Sequence, residues 1–196
     1  MTKTITLPAS ATTGALAQAI ALRRSVREFQ RTPVPNDVLA ALLWAAQGVA
    51  APPGLRTAPS AGALYPLELY VANEHGVFHY QSAEHQLQQT LTHDVRGSLG
   101  AAAFGQTCVA YAPAVIVFGA AIERTVRRYG ERGRMYVHME VGHAAQNLML
   151  SAVELGYGTV AVGAFDAAAV ATALRLPEHI TALYLVPVGR PNAGGK

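Results

Sequence analysis

Apolar residues recur along this chain at two periods, and the changes of period mark its elements. From Thr13 to about Arg24, the residues Leu16, Ala19, Ile20 and Arg23 share one face at three- to four-residue spacing, which predicts a first helix. A second helix begins near Asn36, with Asn36 itself as N-cap, Val38, Leu39, Leu42, Leu43 and Ala46 as its apolar stripe, and Gly48 as its stop. Ala50–Gly62, rich in Pro, Ala, Ser and Gly, predicts a loop. Leu67, Leu69 and Val71 then alternate with Glu68 and Tyr70, the pattern of a half-buried strand. Asn73–Gly76 supplies a turn, and Val77–Tyr80 returns as the second strand of a hairpin.

Gly100–Ala110 predicts a helix, and Ala114–Phe118 a central strand, with Pro113 tolerable at its first position. The longest helix is expected over Arg134–Leu155. There Val137, Val141, Ala145, Leu148, Ala152 and Leu155 keep one apolar face for about six turns, and Gly156 fits the stop. A buried strand at Thr159–Gly163, a helix at Asp166–Leu174 capped by Asp166, and a last strand at Thr181–Val188 complete the pattern. Residues 1–12 and 192–196 read as extended arms. Helices and strands are mixed without a regular βαβ repeat. The expectation is an α+β fold, a central mixed or antiparallel sheet flanked by long helices, in a single domain spanning 1–196.

Composition supports a packed core. At 196 residues, 51% hydrophobic and 14% charged, folding buries roughly 70% of the unfolded surface without a disulfide or metal staple. The single cysteine, Cys108, excludes an internal disulfide and suits a reducing compartment. Met1–Ser10 has no basic-then-apolar signal, and no apolar run approaches the ~20 residues of a membrane span. A soluble, cytoplasmic protein without a membrane partner is therefore expected. The net charge of +3 raises nucleic acid as a partner. Its arginines fall in two compact groups, Arg23, Arg24, Arg27 and Arg31, then Arg124, Arg127, Arg128, Arg132 and Arg134, and aromatics are not interleaved as stacking platforms. That pattern suits local anion sites and does not predict nucleic-acid binding.

Several motifs fail on context. Gly156-Tyr-Gly158-Thr-Val-Ala161 matches a dinucleotide fingerprint as a string, but a helix precedes it and a strand follows, the reverse of what phosphate binding at a helix N-terminus needs. Glu140 and His143 form half of a di-iron ligand pattern with no second half in the chain, so no metal is expected. Cys108 among apolar neighbours reads as a packed thiol. Ser60 lacks the strand-turn-helix setting of a hydrolase nucleophile.

Four separated segments remain. Arg23-Arg24-Ser25-Val26-Arg27 offers guanidinium groups for bidentate phosphate binding and a hydroxyl donor; the same residues also suit a solvated helix end. In Arg56–Pro66 the small residues of Pro59, Ser60, Ala61, Gly62, Ala63 and Leu64 let backbone approach a flat ring, or simply connect two elements. Val162-Gly163-Ala164-Phe165-Asp166 places free amides where a strand meets a helix. Val188-Gly189-Arg190-Pro191 closes the last strand with another phosphate-capable arginine.

Together with the long helix, these segments resemble the nitroreductase superfamily from about Ala17 to Pro191. Thr57–Pro66 (TAPSAGALYP) and Glu140–Gly163 look like its SagB-type dehydrogenase branch, as do Glu68–Tyr80 and Gln81–Gln88. The resemblance implies a nitroreductase-like fold and a domain-swapped homodimer with FMN at the interface, contacted by both chains. It implies that Arg23, Ser25 and Arg27 hold the phosphate and ring edge, with Arg24 between them, and that Pro59, Ser60, Ala61, Gly62 and Leu64 line the isoalloxazine. Gly163 and Ala164 would offer amides to N5 and O4, and Arg190 a further phosphate contact.

The implied activity is FMN-dependent oxidoreduction, with ping-pong cycling between NAD(P)H and a small acceptor such as a nitroarene or quinone. The azoline-oxidising members carry a Lys-Tyr pair just before the long helix. Here Arg128-Tyr129 stands there, read either as catalytic groups or as a surface pair in a charged turn; Tyr129 can exchange a proton, whereas arginine stays protonated. Azoline-to-azole dehydrogenation of a peptide natural product, and a flavin-binding partner without turnover, are the alternatives. The substrate is then a small molecule or a peptide delivered by a separate protein.

Overall fold

The computed structural model describes Thr2, residues 4–8, 13–52 and 54–192. Of the expected arms, residues 1, 3, 9–12 and 193–196 lie outside the described residues; Thr2 and residues 4–8 are exposed and belong to no helix or strand.

Six strands form one antiparallel sheet in the order β5-β4-β3-β6-β8-β7. They are β3 (Leu67–Asn73), β4 (Gly76–Gln81), β5 (Gln86–Leu91), β6 (Ala114–Ala120), β7 (Gly158–Thr159) and β8 (Thr181–Gly189). The apolar run Ala114–Ala120 is buried at every position, as a central strand covered on both faces must be. Its register with β3 runs from Leu67 opposite Ala120 to Asn73 opposite Ala114.

The expected half-buried character of β3 does not hold. Leu67, Leu69 and Val71 enter one core with Leu39, Leu42, Leu43, Ala145 and Leu148. Tyr70 and Ala72 enter a second core with Leu99, Val109, Val170 and Leu174. Helices cover both faces, so the polar alternation at Tyr70 is filled by an aromatic ring. On the first face lie α2 (Asn36–Gln47) and α6 (Arg132–Glu154); on the second lie α3 (Arg96–Ala102), α4 (Thr107–Ala110) and α7 (Ala167–Leu174). Asp166 caps α7 as expected, its carboxylate accepting from the N–H groups of Ala168 and Ala169.

Several boundaries move. Asn36 is the first residue of α2, and Pro35 occupies the cap position. The loop expected over Ala50–Gly62 contains a small antiparallel pair, β1 (Val49–Ala51) and β2 (Leu55–Arg56), and then a 3-10 turn at Ala61–Ala63. Gly100–Ala110 is not one helix, because Phe104 and Gly105 both have positive φ and separate α3 from α4. The strand expected over Thr159–Gly163 is reduced to β7 and a single bridge between Val162 and Leu185. Arg128 and Tyr129 lie not in a turn but in the last turn of α5 (Ile122–Tyr129). On α1 (Ala15–Leu22) only Ala19 is buried; Leu16, Ile20 and Leu22 remain exposed.

After α1 the chain runs beside the β7–β8 edge. Val26 N–H donates to Thr159 O at 2.9 Å, and Gln30 N–H to Arg190 O at 2.8 Å. Gly158 makes this approach possible, since a Cβ there would stand 2.7–2.8 Å from three Val26 side-chain atoms. Gly158→Ala should therefore displace Val26 and cost about 1–3 kcal/mol by overpacking. Thermal unfolding should show a Tm lower by about 2–4 °C per kcal/mol; an unchanged Tm would mean that the segment is not held at this contact.

Candidate functional site

The structure sets the first, third and fourth of the sequence segments along one edge of the sheet, the third entering at the middle of β8 through the Val162–Leu185 bridge. Ser25 bridges Thr159, Phe29 bridges Pro191, and Gly158 pairs with Gly189, so Arg23–Arg27 and Arg190 share one end of the sheet. Arg23 closes α1 as its C-cap, and Ser25 is half-buried. Arg24 turns back on that helix, its Nη1 donating to Ala21 O at 2.9 Å and Arg23 O at 2.7 Å. Arg190 lies over the buried ring of Tyr157, 4.8 Å from its centroid. Gly163 and Ala164 are exposed, and Gln106 Nε2 ties Ala164 O to the start of α4 at 3.0 Å. Arg27 reaches the same corner: burial pushes the Cys108 thiol up, while the positive charge of Arg27 opposes that shift.

The second segment belongs to a different group, against the N-terminal half of α6. Its fold is fixed by polar contacts. Arg56 Nη1 donates to Gln47 Oε1 at 2.8 Å, Arg56 N–H to the Tyr65 hydroxyl at 3.2 Å, and the Arg56 guanidinium covers the Tyr65 ring at 4.9 Å. Asn147 Nδ2 donates to Thr57 O at 3.3 Å, Tyr65 N–H to Ser60 Oγ at 2.9 Å, and Arg124 Nη1 to Tyr65 O. These bonds hold Gly62, Ala63 and Tyr65 at φ of 62°, 52° and 46°. Positive φ is strained for Ala63 and Tyr65, and persists where surrounding contacts over-determine it. Arg128 and Tyr129 lie directly over Gly62, where a Cβ would stand 2.7 Å from the Tyr129 hydroxyl and 3.0 Å from Arg128 Nη1.

Beneath this loop are buried polar groups that motif spacing did not identify as a unit. Glu68 is drawn upward by burial, but hydrogen bonds from His79 and Arg124 (both 3.0 Å) hold its carboxyl below the ordinary value. Burial lowers the Arg56 guanidinium, partly offset by the charge of Glu68. Glu140, 3% exposed, is pushed up to about 7 by burial, against the opposing pull of the Ser60 hydroxyl and the charges of Arg56 and Arg124. Its Oε1 and the Gln47 Nε2 have no hydrogen-bond partner among the described residues. Glu140 also lines a cavity of about 260 Å³ with Pro59, Ser60, Ala61, Tyr136, Met139 and His143. A larger hollow of about 540 Å³ between α2 and the β4–β5 hairpin contains none of the sequence-derived candidates.

Spacing marks Glu140 only as half a metal motif, points to no site role for Gln47 or Glu68, and sets Arg124 in an arginine group with no partner named. The signal available for Glu140 was a lone acid on the inward stripe of α6, between Val137 and Val141. Gln47 offers a similar cue at the end of the α2 stripe. Nothing local pairs Arg124 with Glu68, which are 56 positions apart.

The model of the nitroreductase family matches residues 20–190. A protein of Methanocaldococcus jannaschii that carries a nitroreductase name is 45% identical over 181 residues, covering 89% of this chain and 90% of that protein. Among solved structures, a Ralstonia eutropha protein likewise assigned by name to the nitroreductases has a TM-score of 0.83 at 30% identity, covering 96% of this chain and 90% of its own. A similarly named Anabaena variabilis structure has a TM-score of 0.79 at 27% identity, covering 90% of this chain but 38% of its own length.

Glu140 makes stability depend on pH in a stated direction. Its folded value, about 7, lies above the ordinary 4.5, so between those values the folded state binds the extra proton. Stability contributed by this group is present at low pH and is lost as pH rises through 7. Glu140→Gln does not titrate. Relative to the wild type, it should gain about 2–3 kcal/mol between pH 5 and pH 8 in chemical unfolding. An equal difference at both pH values would show that Glu140 titrates normally.

Proposed function

The chain belongs to the nitroreductase family, and from that premise we propose that it is an FMN-dependent oxidoreductase that works as a homodimer. Electrons pass in the proposed cycle from NAD(P)H to a small electrophilic acceptor such as a quinone or nitroarene. The observation that carries this reading is that Arg23–Arg27, Arg190 and the exposed Gly163–Ala164 stretch all lie along the β7–β8 edge of the sheet, through the Ser25–Thr159, Gly158–Gly189 and Val162–Leu185 pairings.

That donor set fits FMN. Guanidinium groups and a hydroxyl match a phosphate monoester in charge and geometry, and exposed amides at Gly163 and Ala164 suit the polar edge of a ring. FMN, when bound, supplies the two-electron chemistry itself. The chain's residues orient and shield it: Arg23 and Arg27 neutralise phosphate, while Pro59, Ser60, Ala61, Gly62 and Leu64 supply a small-residue surface for the flat ring. Arg24, committed to the end of α1, is the weakest member of the phosphate set.

The two groups lie towards opposite ends of α6. Glu140 lines the second, and Gly156–Gly158 underlies the first; the helix from Glu140 to the end of α6 at Glu154 spans about 21 Å. One flavin touching both groups is therefore best completed by a second copy of the chain. Exposed apolar residues support this: Leu16, Ile20 and Leu22 on α1, Trp44 on α2, and Met135 and Met139 on α6. Patches of this kind mark association surfaces.

Arg128 and Tyr129 over Gly62 favour a second reading within the SagB-type branch, azoline-to-azole dehydrogenation. Tyr129 is then the proton-exchanging group, and Arg128 stays cationic. The stretches Thr57–Pro66 and Glu140–Gly163 support that branch.

Purified protein should be yellow, or become so with added FMN, and bleach anaerobically with NADH or NADPH. Protein that neither carries nor binds FMN would overturn the reading. Bound flavin that no nicotinamide or acceptor changes would favour a partner without turnover. Replacing Arg23 and Arg27 together with Ala removes two charge-assisted contacts and should weaken FMN affinity by about 10²–10⁴-fold; unchanged affinity would place the phosphate elsewhere.

A further inference from the structure

The two edges of the sheet differ in what covers them. At the β7 edge the chain covers itself: Ser25 bridges Thr159, and Val26 N–H donates to Thr159 O. At the other edge stands β5. Outside its ladder with β4, no backbone N–H or C=O of Gln86–Leu91 has a backbone partner among the described residues. Open edges are normally guarded by lysine, proline or a bulge. The sequence here, QLQQTL, carries no charge and no proline, and its one register shift falls at the Leu91 end.

The register gives this edge a direction. Asn73 and Gly76 flank the two-residue turn between β3 and β4, so they form a hydrogen-bonded pair. Alternation then turns the backbone groups of His79 and Gln81 towards β5, where they meet Gln88 and Gln86. Leu87 and Gln89 keep N–H and C=O groups directed outward. The same two residues line the hollow of about 540 Å³ between α2 and the hairpin, with Leu39, Leu43 and Phe78 as apolar walls. No Asp, Glu, Lys or Arg lines it among the described residues. At the hairpin end of β5, the buried Tyr80 bonds through its hydroxyl to His85 Nδ1 at 2.7 Å and fixes the turn.

We propose that β5 is a docking edge for an extended, uncharged peptide, which adds a strand to the sheet and sends alternate apolar side chains into this hollow. Backbone bonds to Leu87 and Gln89 supply affinity, and the hollow selects the side chains. The edge also leads to the candidate site. Gln81 pairs with Gln86 and His79 with Tyr70, so the hairpin end of β5 lies level with the start of β3 at Leu67. Two strand spacings, about 10 Å, separate them, and Leu67 directly follows the Arg56–Pro66 loop. A second copy of the chain is the poorer occupant. Its own β5 brings Leu87 alone as an apolar side chain on this face, since Leu91 belongs to the opposite core. Peptide docking here does not require flavin, so it stands or falls apart from the reading above.

Fluorescence anisotropy with the peptide SLSFSLS, amidated and carrying fluorescein on an N-terminal glycine linker, tests the edge. Bonded residues of paired strands keep their side chains on one face. The Leu and Phe residues that enter the hollow are therefore those whose N–H groups meet β5. Methylating their three amide nitrogens should weaken binding by about tenfold or more, whereas methylating the two interior serine amides should leave it unchanged. Bound peptide should also slow hydrogen exchange at the Leu87 and Gln89 amides. Ala40→Trp, which fills the hollow, should lower affinity about tenfold; if that variant does not fold, Gln89→Pro, which removes an outward N–H, should do the same. Equal losses from both methylation patterns, protection elsewhere on the chain, or no binding at about 1 mM peptide overturns the proposal. So do β5 amides already protected without peptide in a species larger than a dimer, which would give the edge to a second copy. Flavin-free and FMN-loaded protein should bind the peptide alike, so a failure to bind FMN overturns the flavin reading and leaves this one intact.

Discussion

Burial of β6 on both faces is the constraint from which the rest of the architecture follows. All seven residues of Ala114–Ala120 are sealed from water, so each face of the sheet must be covered by apolar helix surface. α2 and α6 cover one face, and α3, α4 and α7 the other. With both faces occupied, the sheet offers polar chemistry only at its rim and at the ends of the covering helices. The candidate residues lie there: Arg23–Arg27 and Arg190 at the β7–β8 edge, and Pro59–Leu64 against the N-terminal half of α6.

The second group shows how a strained loop is kept in place. Ala63 and Tyr65 adopt left-handed backbone that a free chain seldom populates. Arg56, Arg124 and Asn147 hold it through bonds to Gln47, Tyr65 and Thr57. Glu68, half-buried, is paired in turn with the exposed Arg124 and with His79. Glu140 lies beside the same network, its Oε1 unpaired among the described residues and its carboxyl pushed up to about 7 by burial.

The exposed apolar surface of α1 and α6 bears on how these parts combine. Leu16 and Ile20 form a helical stripe by spacing, yet neither is covered within the chain. In the proposed homodimer, a second copy would cover this stripe.

Periodicity alone determined most of the elements, because burying one face of a helix or strand writes a repeat into the sequence. α2, α6, α7, β3, β4, β6 and β8 were all legible in this way, and Asp166 was legible as a cap because its chemistry is local. The short edge strand Gln86–Leu91 was not, since it is mostly exposed and carries no apolar alternation. Nor was the helix around Arg128 and Tyr129, an eight-residue segment with four charged residues that reads as a charged turn. The four candidate segments could be read off as small-residue and arginine-rich stretches. Only the tertiary structure decided that the first, third and fourth of them lie along one edge of the sheet while the second, Arg56–Pro66, stands apart over Glu140. Contacts between residues 56 to 161 positions apart leave no local pattern, because the packing that brings them together is set by the whole sheet.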